Sequence, residues 1–340
     1  MRAAIFRENG GPEVISVEDV DPPVPGPGEV RIQVEAASLN HLDLWVRRGL
    51  PIETPMPHIG GSDIVGRVES VGSDALAGWM GKRVVVDPSL SYDWYELAGR
   101  KDGLVSSFGV IGEHTQGGFA EMVVVPGANL LEVPEGVSSE TAAAGALAGV
   151  TAWRGLMVRG RLRPGESVLI TGASGGVSTM AIQYARLAGA TVHAVTSTPD
   201  GVARARSLGA AYAYDRLVED WSKAVYHDTG RRGVQLCLDS VGQAVLPQAV
   251  RALAVGGRLV SYGATTGPEA SFDLRLLFWR QLSVLGSTMG THGEFVEAMS
   301  LIFAGRVEPQ IDRVLSLEGT REAHELLETG RVFGKIVIKP

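Results

Sequence analysis

The sequence predicts a two-domain α/β chain, a β-barrel-like domain joined to a doubly wound parallel sheet of six strands. Three observations carry this. Turn signals cut the first 135 residues into short apolar or alternating runs. Beyond residue 135, six short apolar runs alternate with helical stretches. A glycine-rich turn links the first of those runs to the first helix. A length of 340 residues suits two domains. Glycine is abundant, 44 residues where the usual share is about 7%, while proline is ordinary, which fits many tight turns and not low complexity.

In the first domain the expected strands are 1–6, 14–17, 29–36, 65–71, 83–87 and 121–125. They are parted by Gly10-Gly11-Pro12, Pro22-Pro23, Pro25-Gly26-Pro27-Gly28 and Gly72-Ser73-Asp74, and few helices are expected among them. Residues 140–157 are Ala-rich and read as a helix. The strands of the parallel sheet are 168–171, 191–196, 211–214, 234–239, 258–263 and 282–287. Helices 178–187, 201–208, 218–228, 243–253 and 274–280 fill the gaps. A helix (293–304), a turn (305–309), a second helix (319–327) and a strand (335–339) follow and return to the first domain. The expected domains are therefore 1–135 with 290–340, and 136–289.

Composition narrows the partners. A net charge of −7 disfavours nucleic acid, whose phosphates need a basic patch. The lone Cys237 leaves no intramolecular disulfide and no Cys-rich zinc site, and it suits a reducing cytosol. The most apolar run, from Thr141 to Trp153, is shorter than the roughly 20 residues of a membrane span. At the N-terminus Glu8 and Gly10 precede any run of signal-peptide length. A cytoplasmic protein with no membrane and no nucleic-acid partner is expected.

The strongest local signal is VLITGASGGVSTMAIQYARLAGA, residues 168–190. Here Ala173-x-Gly175-x-x-Ser178 occupies the G-x-G-x-x-G frame between a strand and a helix. Gly175 lets the backbone approach a pyrophosphate, and Ser178 permits close helix–strand packing. The turn and helix start, Ser174, Gly175, Gly176 and Val177, offer N–H groups and a partial positive charge to the anion. An ordinary βα turn also uses glycine, but a place in the first βαβ unit of six strands favours a dinucleotide. NAD binders carry an acid at the end of the second strand, about 20 residues on. Thr196, Ser197 and Thr198 stand there instead, with no acid before Asp200. Hydroxyls can donate to a 2′-phosphate that a carboxylate would repel. Arg204 and Arg206 on the next helix add charge, unless they are only surface arginines. NADPH is expected ahead of NADH.

The chain as a whole resembles the medium-chain dehydrogenase/reductase family. The matching stretches are EVRIQVEAASLNHLDLWVRRG (29–49), HIGGSDIVGRVESVG (58–72), GEHTQGGFAEMVVVP (112–126), LAGVTAW (147–153), GASGGVS (172–178), LDSVG (238–242), GGRLVSYG (256–263), LSVLGST (282–288) and GKIVIKP (334–340). The resemblance implies a GroES-like β-barrel domain plus a Rossmann domain. It also implies a homo-oligomer, dimer or tetramer, joined through the edge of the Rossmann sheet. Zinc-dependent members carry Cys-His-x-Asp, Gly-His-Glu and Cys-Ala-Gly-Val-Thr at three of these places. This chain has Asn40, Ser62 and Leu147 where those ligands would stand. Leu cannot bind Zn²⁺, and Asn and Ser are poor ligands beside thiolate and imidazole, so no catalytic zinc of the family type is expected. Residues 91–107 fill the place of a four-cysteine lobe without one cysteine; Tyr92, Trp94, Tyr95 and Phe108 are expected to pack that loop. His41, His58 and His114 show no short ligand spacing and read as hydrogen-bonded structural residues.

Asn40, Asp43, Arg47 and Gly49, in the pattern Asn-x-x-Asp-x-x-x-Arg-x-Gly, resemble the quinone oxidoreductase branch, zeta-crystallin included. A Tyr that some members carry two residues past the Asp is Trp45 here, a flat apolar wall suited to a planar hydrophobic substrate. The implied chemistry is hydride transfer to a quinone or an α,β-unsaturated carbonyl, already polarised enough to need little Lewis-acid help. In this reading Asn40 holds the substrate carbonyl or the nicotinamide amide. Thr151 stands where the family contacts the nicotinamide. Asp43 orients Asn40 or His41, or anchors a turn, and the proton comes from water or His41. Gly242, Gly263 and Ala264 line the nicotinamide end, Ser287 ends the sixth strand, and Lys335 reaches a cofactor phosphate. Two alternatives stay open. One is an alcohol or aldehyde dehydrogenase working without the usual zinc, with His41 or Asp63 as base. The other is a non-catalytic NADPH-binding protein.

Overall fold

The computed structural model describes residues 1–51, 54–91 and 108–340; the expected packing of Tyr92, Trp94 and Tyr95 lies outside them. The chain divides into two compact units, Met1–Val150 with Gly290–Pro340, and Thr151–Met289.

The first unit contains β1 (Arg2–Phe6), β2 (Ser16–Asp19), β3 (Glu29–Ser38), helix α1 (His41–Arg48), β4 (His58–Ile59), β5 (Asp63–Val71), β6 (Arg83–Val86), β7 (Ser89–Leu90), β8 (Gly109–Val110), β9 (Met122–Pro126) and β10 (Leu130–Glu132). Strand β2 starts later than expected, because Pro12 opens a short 3₁₀ turn, Pro12–Val14, where an extended run was read. Helix α1 falls between the expected strands 29–36 and 65–71, where no helix was expected. Asn40 is extended at its N-cap and Asp43 stands three residues on. Arg47 and Arg48 lie in the last turn, and Gly49 ends the helix at φ 99°. Helix α2 (Ser139–Trp153) runs on into a wider turn, Arg154–Arg159. Its residues up to Val150 belong with the barrel, where Gly145 lies against Ile302 and Pro309.

The second unit is a parallel sheet of β11 (Ser167–Ile170), β12 (Thr191–Thr196), β13 (Tyr212–Asp215), β14 (Val234–Asp239), β15 (Leu253–Ser261) and β16 (Ser283–Gly286). The spatial order is β13-β12-β11-β14-β15-β16, so the chain reverses direction across the sheet between β11 and β14. Helices α3 (Gly176–Leu187), α4 (Pro199–Ser207), α5 (Trp221–Asp228), α6 (Leu246–Ala252) and α7 (Leu274–Trp279) connect the strands. Helix α5 starts at Trp221 and not at 218, because the Asp220 side chain accepts the Lys223 amide and caps it. The core packs Leu169, Val195, Trp221, Val225, Cys237, Val250 and Leu259.

The chain then returns to the first unit with α8 (His292–Phe303), β17 (Ile311–Ser316), α9 (Thr320–Glu328) and β18 (Lys335–Lys339). Strand β17 was not expected, since its burial is only partial along its length. It pairs in parallel with β18, which pairs antiparallel with β3 in the order β10-β6-β5-β3-β18-β17, with β9 also on β3. The barrel core packs Ile32, Val34, Ile64, Val68, Val84, Phe119, Val123 and Ile338. No helix among the described residues is long and apolar enough to cross a membrane.

Candidate active site

The sequence-predicted residues gather in two places. In the second unit, Ser174, Gly175, Gly176, Val177, Thr196, Ser197, Thr198, Gly242, Gly263, Ala264 and Ser287 all stand at or after the carboxyl ends of the strands, where doubly wound sheets bind ligands, while Arg204 lies in the last turn of α4. Gly175 is the N-cap of α3 and supplies no side-chain cap, so the amides of the first turn keep their capacity for an anion. A side chain at Gly175 would meet only the Gly172 carbonyl, at 3.4 Å; the residue faces open space. Gly172 is different: its φ is +55°, and a Cβ there would lie 3.0 Å from Val241. The loops after β14 and β15 touch, since a Cβ on Gly242 would meet the Ala264 backbone at 3.1 Å. Thr151 is buried on α2 at the start of this unit. The Ser287 amide donates to the Ser261 carbonyl at 2.9 Å.

The three hydroxyls after β12 have different surroundings. Thr196 is buried, its Oγ1 3.0 Å from Ser174 Oγ. Ser197 is half-buried. Thr198 is exposed and caps α4, accepting the Gly201 amide at 3.0 Å, which leaves its own hydrogen to donate. Arg204 lies 3.8 Å from Asp200 one turn back.

Sequence reasoning missed the residue that ties these loops together. Asp239, fully buried at the end of β14, accepts from Thr171 Oγ1 and from the amides of Val241 (3.2 Å) and Gly242 (3.0 Å). Burial pushes its carboxyl pKa up, against those three donors. The signal was present as an Asp closing an apolar strand ahead of a glycine turn.

In the first unit Asn40, Asp43, Asp63 and Lys335 meet. Strand pairing brings them together: Ser38 of β3 is opposite both Asp63 of β5 and Val337 of β18, and the Leu39 amide donates to the Ile336 carbonyl. Asn40 Nδ2 donates to Asp63 Oδ2 at 2.9 Å. Lys335 Nζ donates to the same oxygen at 3.0 Å and to Asn40 Oδ1. Asp63 Oδ1 accepts the Leu147 amide at 2.7 Å. Lys335 was expected to reach a cofactor phosphate. It turns inward instead, 4% exposed, because β18 carries it beside two buried acceptors.

Asp43 holds the corner from below. It accepts the Asn40 amide at 2.7 Å and the Gly61 amide at 2.9 Å, so it fixes the backbone of Asn40 and leaves His41 alone. It lines a small, largely apolar cavity with Phe6, Val46, Phe119 and His324. Desolvation pushes its pKa up to about 7, opposed by the two amides and the Lys335 charge, with Asp63 adding to the rise. His41 lies on the exposed side of α1. Desolvation, then the Lys335 charge, lower its pKa to about 4, so at pH 7 it is a neutral ring and a poor acid. Of the two expected proton sources, water and His41, this favours water. Trp45 is exposed, with the Arg48 guanidinium 5.7 Å from its ring centre. His58 is buried with both ring nitrogens on backbone carbonyls, Pro55 and Gly112, and His114 accepts the Val110 amide; both are structural.

Comparison with known proteins agrees with this geometry. Residues 26–135 match the alcohol dehydrogenase GroES-like domain, and residues 176–304 match the zinc-binding dehydrogenase family. A solved NAD-dependent alcohol dehydrogenase superposes with TM-score 0.93 at 40% identity over 100% of both chains. A quinone oxidoreductase of Pseudomonas aeruginosa is 30% identical over 98% of each chain. An acryloyl-coenzyme A reductase of Sulfurisphaera tokodaii is 28% identical over 95% of this chain and 96% of its own. The chain belongs to the medium-chain dehydrogenase/reductase family and is an NAD(P)-dependent oxidoreductase.

The glycine turn, the uncapped α3 N-terminus and the Asp239-braced loops fit a dinucleotide. The residues where zinc members hold their metal do not fit that ion. Asn40, Ser62 and Leu147 offer no thiolate or imidazole, and both oxygens of Asp63 are already engaged. No group of three or more metal-ligating side chains occurs among the described residues.

Proposed function

We propose that this protein uses NADPH to reduce a small, hydrophobic conjugated carbonyl, a quinone or an α,β-unsaturated ketone or aldehyde, without a catalytic metal. The Asn40–Asp63–Lys335 cluster is the observation that carries this reading. It supplies a fixed hydrogen-bond donor backed by a positive charge, which is what a conjugated carbonyl needs as its oxygen gains charge. Alcohol oxidation would need a free base. Asp63 is fully engaged, and burial and the Lys335 charge both disfavour a proton on His41. The quinone and acryloyl-coenzyme A reductases among its relatives also act on conjugated carbonyls.

When bound, the reduced nicotinamide supplies a hydride. Asn40 Nδ2 has one hydrogen on Asp63 and a second that can donate to the substrate oxygen. Asp43 keeps the Asn40 backbone in place while charge builds on that oxygen. Water supplies the proton that completes the reduction. Trp45 offers an apolar surface for a planar acceptor.

Ser197, the free hydrogen of Thr198 and Arg204 favour a 2′-phosphate and hence NADPH. Asp200 beside Arg204 favours NADH as the second reading, since a carboxylate there can take ribose hydroxyls. We also propose a homo-oligomer through β16. This is the last strand of its sheet, and Val284 on it and Leu274, Phe278 and Trp279 nearby are exposed. Sedimentation of a Trp279→Glu/Val284→Glu variant should show a monomer; an unchanged mass rejects that interface.

The test of function is oxidation of NADPH, with NADH beside it, on a small quinone and an enone in the presence of a chelator. Chelator-resistant turnover favouring NADPH is expected. Turnover lost to the chelator, or tight cofactor binding with neither acceptor reduced, overturns the reading.

A further inference from the structure

We infer that the Lys335 ammonium is the site's own cation, a positioning residue that holds and polarises the Asn40 amide toward the substrate carbonyl. The inference rests on the reductase reading above.

Lys335 and Asp63 are both buried, and buried charges need partners. The carboxylate alone would neutralise the ammonium. The ammonium also donates to Asn40 Oδ1, while Asp63 accepts from Asn40 Nδ2. The amide is therefore gripped at both ends, by a cation on its oxygen and an anion on its nitrogen. A positive charge at Oδ1 draws electron density through the amide and makes the remaining N–H a stronger donor. The grip also fixes where that donor points, so little reorganisation is left for the moment of reaction.

Lys335 already neutralises Asp63, so a divalent ion here would meet a like charge and no free anionic ligand. Burial, and after it the Lys335 charge, lower the pKa of His41 at the start of α1.

The test compares wild type, Lys335→Met, Lys335→Arg and the double variant Lys335→Met/Asp63→Asn, which leaves no buried charge unpaired. Each is assayed on one aromatic enone across a range of NADPH concentrations, with the infrared carbonyl stretch of the enone bound beside the oxidised cofactor as a second readout. In both methionine variants kcat should fall by about tenfold or more, part of the loss expected for a direct oxyanion donor, while KM for NADPH stays the same. The carbonyl stretch should move to higher frequency. Ethylammonium should restore part of the rate to a Lys335→Ala variant, whose shortened side chain leaves room for it, and ethanol, similar in size but uncharged, should not. Lys335→Arg should keep more activity than either methionine variant. A double variant with wild-type kcat and an unmoved stretch overturns the inference while leaving the reductase reading intact. A wild type inactive on both enone and quinone overturns that reading and this inference with it.

Discussion

Thr171 and Asp239, 68 residues apart in sequence, are hydrogen-bonded side chain to side chain where β11 and β14 end side by side. This is the point where the strand order reverses. Thr171 leads into the glycine turn, and the same carboxylate takes the amides of Val241 and Gly242 across the crevice. One buried acid thus sets the spacing of both lips of the proposed cofactor crevice. Asp239→Ala should destabilise the fold by about 2–4 kcal/mol, since it strands buried donors. Thr171→Val should cost only about 1 kcal/mol. Both should weaken dinucleotide binding, which fluorescence titration would measure. An Asp239→Ala protein with wild-type affinity would show that the crevice does not depend on this brace.

Gly175 and Gly172 make opposite demands. Gly175 has φ −77° and open space before it. Gly175→Ala should change stability by less than about 1 kcal/mol. It should lower dinucleotide affinity at least about tenfold, because the methyl stands where the pyrophosphate approaches. Gly172→Ala should lose about 1–2 kcal/mol of stability, from its left-handed backbone and the nearby Val241. Equal effects on folding at the two positions would contradict this assignment.

Asp43 makes stability depend on pH in an unusual direction. Its folded pKa, about 7, lies above the ordinary 3.8, so between those values the native state holds the extra proton. The stabilisation is complete below about pH 4 and is lost as pH rises through about 7. The depressed pKa values of His41 and His324 act in the opposite sense, so the comparison must be with a variant. Chemical denaturation at about pH 5 and about pH 8 should show the advantage of wild type over Asp43→Asn shrinking at the higher pH. Parallel losses at both pH values would contradict it.

Arg47 and Glu328 form an ion pair whose two halves are not equivalent. The Arg47 side chain is fully buried, and its Nε and Nη1 have no hydrogen-bond partner among the described residues. Glu328 is nearer the surface and also pairs with Arg48 at 3.0 Å. Glu328→Gln leaves a buried guanidinium without its anion and should cost about 3–5 kcal/mol. Arg47→Met leaves Glu328 its second partner and removes unpaired donors, so it should cost less than about 1 kcal/mol. Thermal unfolding of the two variants decides this, and the reverse order would sink the argument.

The parallel sheet was legible in the sequence because each strand is a short apolar run ended by a turn, and the glycine frame lies on the first of them. The barrel was less legible. Helix α1 was overlooked, although Asn40, Asp43 and Gly49 spell its start and stop. Strand β17 was overlooked because its faces are too evenly exposed to alternate clearly. Of the candidate site, the 172–178 turn was readable from residue type and spacing, and Asn40 from the family resemblance. Lys335 was assigned to the wrong partner, and Asp239 was passed over.

The sequence by itself determined the alternating strands and helices of the parallel sheet and the glycine turn between β11 and α3, because each is written in residues close together along the chain. Only the tertiary structure decided that Lys335 serves Asn40 and Asp63 and that Asp239 serves Thr171. Those partners lie 295, 272 and 68 residues apart. Strand register brings them together, and that register is set by the burial of whole faces, which no local pattern encodes.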